Sequence, residues 1–441
     1  MRLLPISFLI CSLALVANAR QSDVLATANG RNFTAADLSP DTQKLFANQA
    51  QVVANARNQL FSKMVSDYLI ELEAKAKGVA PEKLVADERA KAAGPTEEQI
   101  NAVYQANKEA LSSKPPAEAR KQVVEFLRRD PEEAALKKYI ETLAAKYKPA
   151  IGKDINAADL KALDTILTVG MRSFNDREFE DKFKLVLYDV RADVLDQAKA
   201  EIENAVYLSL VAAEANSLGT DASEVIAKEI TNKMKDFSDE ERISLEDVLR
   251  KRLFAKYNAK FLIKYPAPIV QTIKIEGAPS RGNLGAPVTV VMFSDFQCPA
   301  CSGTDPILQK VLAEYGDKIH FVVRDFPLTT IHDHSYRAAL AAYAAYQQGK
   351  FFEYIEILYK NQSQLDDASL SKYAAGIGLN VKRFELDLSS ENAAAYVKKD
   401  MADGDSYGIS GTPTIFVNGV KVRRLTAYGF REAIDTALKK S

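Results

Sequence analysis

The sequence predicts a multidomain chain: an all-α N-terminal region built of two related helical modules, then an α/β domain carrying an inserted helical block. Three observations predict it. A chain of 441 residues is too long for one core. An amphipathic helical plan in the first third recurs in the second, and beyond Pro266 the apolar period becomes strand-like. Hydrophobic content of 47% with 27% charged residues describes a soluble globular chain. Lys+Arg 58 against Asp+Glu 59, a net charge of -1, removes the electrostatic case for nucleic acid or an anionic membrane surface.

The first segment reads as an address. Met1-Arg2 gives a short positive start, residues 3–16 are apolar, and Ala17-Asn18-Ala19 is a small-x-small site before the polar Arg20. This is the pattern of a secretory signal peptide, residues 1–19, cleaved after Ala19. An uncleaved anchor is the rival reading, but the run is short for a span. Cys11 leaves with the leader, and no second long apolar stretch follows. The mature protein is therefore expected to be exported and to keep no stable membrane span.

Residues 20–149 read as the first helical module. Leu60, Phe61, Met64, Val65, Tyr68, Leu69 and Leu72 form an amphipathic stripe over residues 55–77, closed by Gly78 as a C-terminal cap. The plan returns in residues 165–268. Phe33 maps to Phe174, Phe61 to Ile202, Val65 to Val206, Leu69 to Leu210, Glu73 to Glu214, Ala74 to Ala215 and Gly78 to Gly219. Lys146-Tyr147 aligns with Lys264-Tyr265 at a shorter offset, so the second copy has lost part of the stretch 101–120. Two copies fall short of a solenoid.

The opening Val24-Leu25-Ala26-Thr27-Ala28-Asn29-Gly30, the helix ending Glu73-Ala74-Lys75-Ala76-Lys77-Gly78, and Thr96-Glu97-Glu98-Gln99-Ile100 resemble the N-terminal chaperone domain of SurA-like periplasmic proteins. The resemblance implies helices that cradle unfolded clients. There is no room between residues 150 and 165 for a parvulin domain, so prolyl isomerase activity is not implied. A helical spacer or dimerisation arm is the blander alternative.

Residues 269–441 change period. Residues 269–275 read as a strand between proline-rich brackets, and residues 287–294 as a buried β-branched strand. Cys298-Pro299-Ala300-Cys301 follows at once, then helical periodicity over 307–315, a strand over 318–324, helices over 334–404, a strand from Gly411 to an Asn418-Gly419 turn, and a closing helix over 430–440. That order is a thioredoxin-type sheet with helices inserted between its two halves.

The chemistry rests on the Cys pair. Cys298 stands where strand hands over to helix, so unpaired backbone N–H groups and the positive end of the dipole favour its thiolate. Pro299 suits the first helical turn, where its missing N–H has no partner to lose. Cys301 falls on the same helix face, one turn deeper and within disulfide reach. The expected roles are Cys298 as exposed attacking sulfur and Cys301 as resolving sulfur, exchanging client disulfides through a mixed disulfide. A zinc half-site finds no second pair, with only His320, His332 and His334 to complete it, so no metal is expected. No cofactor is needed beyond the redox-active Cys298–Cys301 disulfide.

Phe293-Ser294-Asp295-Phe296-Gln297-Cys298-Pro299-Ala300-Cys301, Arg324-Asp325-Phe326-Pro327-Leu328, Ile331-His332, Gln348-Gly349-Lys350-Phe351 and Gly411-Thr412-Pro413 together resemble a DsbA-like thiol:disulfide oxidoreductase. The resemblance implies that Pro413 is a cis-proline against the active-site disulfide and that Thr412 offers backbone hydrogen bonds to an extended client, as in strand addition. It implies an enzyme of the periplasm acting on unfolded or cysteine-containing exported proteins, served by a redox partner protein, and forming disulfides. A disulfide isomerase or reductase is the nearest alternative. A non-enzymatic periplasmic chaperone using the fold as a scaffold is the rival from another class. Asp295 reads as a cap or turn residue and His332 as a surface or structural histidine. Where related proteins carry a buried acid six residues before the first Cys, this chain has Met292, leaving water or Asp295 as a substitute.

Overall fold

The computed structural model describes residues 24–112, 115–329 and 331–440. The expected leader, residues 1–19, lies outside them. No helix among the described residues is long and apolar enough to cross a membrane.

Each repeat opens with a hairpin. Val24–Ala28 pairs with Arg31–Thr34, and Thr165–Val169 with Arg172–Asn175, both antiparallel. In the first, Asn29 and Gly30 both take positive φ (48° and 75°), the geometry that lets a two-residue turn follow the strand twist. The repeat extends to side-chain detail. Arg31 lies over the Phe33 ring and bonds Asp37, while Arg172 lies over Phe174 and bonds Glu178. Thr34 N–H donates to Asp37, and Asn175 N–H to Glu178.

The long helices are Gln49–Lys77 and Asp176–Leu218. Gly78 and Gly219 end them at φ 68° and 67°. The next amides, of Val79 and Thr220, reach back to Ala74 and Ala215, each at 3.0 Å, which is the glycine-closed cap. Beyond them the copies diverge. The first continues through Pro81–Arg89, Glu97–Ala106, Lys108–Leu111 and Pro116–Tyr147; the second has only Ala222–Glu229, a short 3-10 turn and Asp239–Lys256.

The linear boundaries expected at 149, 165 and 268 do not divide the helical region. One compact unit takes the described residues up to Arg57 together with Leu187–Ala267; the other takes Asn58–Val186 with Pro268–Ser441. The hairpins are exchanged. In the first unit the hairpin of the first repeat pairs with Lys260–Phe261, the terminal strand of the second. Its Phe33, fully buried, packs with Ala198, Ile202, Val206 and Leu210. In the other unit the second hairpin pairs with Ala150–Ile151, and Phe174 meets Tyr68 edge-on at 4.8 Å. The two hairpins are alike, so local sequence does not say which helix each will cover.

The two units bury a matched pair of glutamates, Glu73 and Glu214. Glu73 accepts from Lys146 and, at 2.7 Å, from Tyr147. Glu214 accepts from Lys256 at 2.5 Å, Tyr257 at 2.8 Å and Arg252 at 3.1 Å. The counterpart of Lys146-Tyr147 is thus Lys256-Tyr257, not Lys264-Tyr265; Tyr265 bonds Asp196 instead. The left-handed residues that follow, Lys148 and Asn258 (φ 50° and 48°), confirm the alignment.

The C-terminal sheet has five strands in the order Val420–Lys421, Thr414–Val417, Val288–Ser294, Ile319–Asp325, Ser280–Gly282. Val288–Ser294 and Ile319–Asp325 run parallel, and the remaining pairs are antiparallel. Residues 269–275 do not form the expected strand. They make a single bridge, Val270 to Val420, and their Ile269, Ile273 and Ile275 pack as loop side chains under the sheet. The edge is taken by Ser280–Gly282. Alternation along the strands puts Val288, Val290 and Met292 on the face covered by the Cys-bearing helix Pro299–Tyr315 and the helical insert, and Val291 and Phe293 on the opposite face, where Leu185 packs. The insert comprises Ser335–Tyr346, Phe351–Lys360, Asp367–Gly376, Val381–Leu388 and Glu391–Ser406, and Ala427–Leu438 closes the chain.

Exchange of the hairpins has a measurable consequence. F33A should destabilise by about 3–5 kcal/mol, with hydrogen exchange rising in residues 187–261 and not in 58–151. The Glu73 cluster has another. Lys146 first, then Tyr147, draw the Glu73 carboxyl down from 4.5 to about 2. A carboxyl depressed on folding stabilises above its unfolded value and loses that contribution as pH falls through the folded one. Thermal melts should therefore lose stability between about pH 4.5 and 2, and E73Q should be less stable at pH 7 but flatter across that window.

Candidate active site

Cys298 occupies the N-cap of Pro299–Tyr315, with φ -75° and ψ 119°, and Pro299 is the first helical residue. The amides of Cys301 and Ser302 point at the Cys298 carbonyl at 3.1 and 3.2 Å, which tightens the first turn. Across the sulfur stands the segment before Thr414–Val417, where the Thr412–Pro413 peptide is cis and Thr412 O lies 3.5 Å from Cys298 Sγ. The structure thus brings together all five expected site residues, Cys298, Pro299, Cys301, Thr412 and Pro413.

Both cysteines are thiols in this structure. Cys298 was expected to be exposed, yet only 6% of it is, and Cys301 is fully buried. The insert fastens the turn: its Gln362 side-chain amide donates to the carbonyls of Cys298 (2.8 Å) and Phe296 (3.1 Å).

The two sulfurs differ in ionisation because they differ in surroundings. The Cys301 thiol donates to Cys298, the amides of Cys301 and Ala300 add to it, and together they bring the Cys298 thiol from 9.0 down to about 5 against the opposing effect of burial. The Thr412 hydroxyl, which has no other partner, also favours the anion. Burial pushes the Cys301 thiol far above its ordinary value, and its hydrogen bond to Cys298 adds to that.

Three features of the site escaped the sequence. Asp295 is not a simple turn residue: it is buried, and its carboxylate accepts from Gln297 N (2.8 Å), Leu328 N (2.8 Å) and His332 Nδ1 (2.7 Å). His332 is accordingly tied to the site and is not a free surface histidine. Beneath Cys301 the Ser294 and Tyr359 hydroxyls meet at 2.6 Å, with Phe296 against the Tyr359 ring at 5.6 Å. Beside Ser294 in the strand register lies Asp325, whose Oδ1 has no hydrogen-bond partner and whose carboxyl burial holds well above the usual carboxylate range. With Asp295 committed to three donors, Asp325 is left as a buried acid beside Ser294. The one hint in sequence was a charged pair, Arg324-Asp325, ending an apolar run; a Tyr such as Tyr359 looks like any core aromatic. Among the described residues no group of His, Cys, Asp or Glu is arranged to hold a metal ion.

Comparison with known proteins bears on the C-terminal part. Residues 274–436 match the family model described as Thioredoxin, so this chain carries a thioredoxin-like domain there. The chain is 40% identical over 139 residues to the Na(+)/H(+) antiporter NhaA 3 of Salinispora tropica, a match covering 32% of this chain and 21% of that protein. It is 36% identical over 145 residues to the Na(+)/H(+) antiporter NhaA 1 of Mycolicibacterium gilvum, covering 32% and 24%. The chain thus spans about a fifth to a quarter of the length of these curated relatives. Among solved structures it is similar to a thioredoxin-like oxidoreductase from Silicibacter pomeroyi, at 28% identity, 38% of this chain, 95% of that one and TM-score 0.35. It is similar also to BdbD from Bacillus subtilis, at 26% identity, 40% of this chain, 100% of that one and TM-score 0.35.

The ionisation contrast is directly testable. Alkylation of the reduced protein, followed by peptide mass spectrometry, should give Cys298 a pH midpoint near 5. Cys301 should resist the reagent until the fold is opened. A Cys298 midpoint at the ordinary thiol value contradicts the geometry.

Proposed function

We propose that the chain is an exported thiol–disulfide oxidoreductase, DsbA-like in its C-terminal domain, that forms disulfides in unfolded protein clients through Cys298 and Cys301. The observation that carries this reading is the split between the two sulfurs, one an easily ionised thiol at a helix N-terminus and the other an un-ionised thiol buried beneath it. A stabilised Cys298 thiolate makes the reduced form favourable, and hence the disulfide form a willing electron acceptor. In the forward direction a client thiolate attacks Cys298 Sγ, the Cys298–Cys301 bond breaks, and its electron pair leaves on Cys301. A second client thiolate then attacks the client sulfur of the mixed disulfide and releases Cys298 as thiolate. Thr412, beside the attacked sulfur, offers main-chain groups to an extended client. A separate redox partner protein reoxidises the pair.

The leader-like residues 1–19 support export to the periplasm. The resemblance of residues 20–149 to SurA-like chaperone domains, with its plan repeated in residues 165–268, supports a client-holding role for the helical modules, which raises the effective client concentration at Cys298.

Expression of full-length C301S in an exporting cell should accumulate mixed disulfides between Cys298 and exported proteins, visible as reducible adducts on a gel. C298S should accumulate none. Purified oxidised wild type should oxidise both a reduced unfolded protein and a small dithiol. An absence of adducts in C301S, with no dithiol oxidation by wild type, overturns the enzymatic reading.

A further inference from the structure

Asp295 and His332 form a pair that the exchange chemistry above does not use. A carboxylate as buried as that of Asp295 is costly unless donors satisfy it, and three do. Two of the three, Leu328 N and His332 Nδ1, come from the loop after the strand Ile319–Asp325. The same loop is fastened a second time, by His334 N donating to Gln297 Oε1 at 2.7 Å. The loop is therefore laced onto the turn that carries Cys298, whose own amide donates to Asp295 O at 3.1 Å. His332 is held with one ring nitrogen on the Asp295 carboxylate, and Asp295 in turn accepts the Cys298 amide at its backbone carbonyl, so the imidazole is fastened to the turn that carries the Cys298 sulfur.

We propose that His332, positioned by Asp295, is the counter-cation of the Cys298 thiolate and takes up the second proton that accompanies reduction of the Cys298–Cys301 disulfide. This rests on the oxidoreductase reading and deepens it. The balance closes without a further reagent. A client dithiol gives up two electrons and two protons as its disulfide forms. The electrons break the Cys298–Cys301 bond, one proton goes to Cys301 Sγ, and the other goes to His332 because Cys298 stays anionic.

Asp295 from the turn, which His332 contacts directly, Cys298 from the helix start and Asp333 from its own loop all act on the charge of His332. The Asp295 bond raises the affinity of His332 for a proton most, burial opposes it, and the Cys298 charge raises it further. Only the last of these depends on redox state. Because coupling between two sites is reciprocal, the thiolate must strengthen protonation of His332 as much as the imidazolium strengthens ionisation of Cys298. The site then draws protons as it is reduced, and its potential acquires a pH dependence centred on this histidine.

The test is histidine-detected NMR titration of the full-length protein in its dithiol and disulfide forms. An opposite charge nearby is worth about one pH unit or more, so the His332 midpoint should fall by about that much on oxidation, and in C298S, which lacks the thiolate, it should lie at the value of the oxidised form. In parallel, H332Q, which keeps a donor for Asp295 but removes the charge, should raise the Cys298 alkylation midpoint, and H332R should restore it. Equal His332 midpoints in the two redox forms overturn the proposal, as do equal effects of H332Q and H332R on Cys298. The native-chain titration needs no variant to fold. It also separates the two readings: a redox-linked His332 in a protein that forms no client adducts defeats the proposed activity alone, whereas adduct formation with a redox-indifferent His332 defeats this assignment alone.

Discussion

The C-terminal domain depends on one constraint, that two sulfurs three residues apart share the first turn of a single helix. At the cap, the Cys298 sulfur is favoured as an anion by the Cys301 thiol and by the amides of Cys301 and Ala300; one turn down, Cys301 is fully buried. The same backbone geometry therefore stabilises an anion at one position and excludes it at the next. The surrounding parts hold that turn in place. Parallel pairing of Val288–Ser294 with Ile319–Asp325 aims the chain at the site, Gln362 pins the turn from the insert, and the Thr412–Pro413 segment closes over the sulfur.

Around this turn the polar groups are unevenly satisfied, and the unevenness is informative. Arg324, buried, is held between Asp400 and Asp403, and Asp400 also accepts from the Asp325 amide at 2.9 Å. That cluster consumes the nearby cation and leaves the Asp325 side chain to be neutralised by protonation. Asp295, which follows the neighbouring strand, instead accepts from three donors, the His332 imidazole among them. Two acids one strand apart are thus partnered differently because of who their neighbours are.

The helical repeats carry a different lesson. Each is locally complete, with its hairpin, long helix, glycine cap and buried glutamate, yet each compact unit combines the hairpin of one copy with helices of the other. The pairing Ala26 to Phe261 closes a loop of more than half the chain. Contacts of such sequence separation are slow to form. Neither repeat as bounded by sequence holds the strands that complete its own sheet.

Much of this was legible in the residues. Helical period, the glycines at 78 and 219, the recurrence of Glu73 at Glu214, the β-branched run before Cys298 and the Asn418-Gly419 turn all act through neighbours a few positions away, and spacing alone exposes them. The strand expected at 269–275 failed because an apolar alternation can be met equally by a loop whose isoleucines are buried. The exchange of hairpins was hidden because two near-identical hairpins fit either helix, so the choice lies in the packing of the whole. By itself the sequence determined that a thiol would stand at the mouth of a helix with a second beneath it, since three residues of spacing and the helical rise fix that. Only the tertiary structure decided that a buried aspartate would tie a histidine from a distant loop to the turn that carries that thiol, because such a meeting depends on where separate chain segments close, which has no signature in local order.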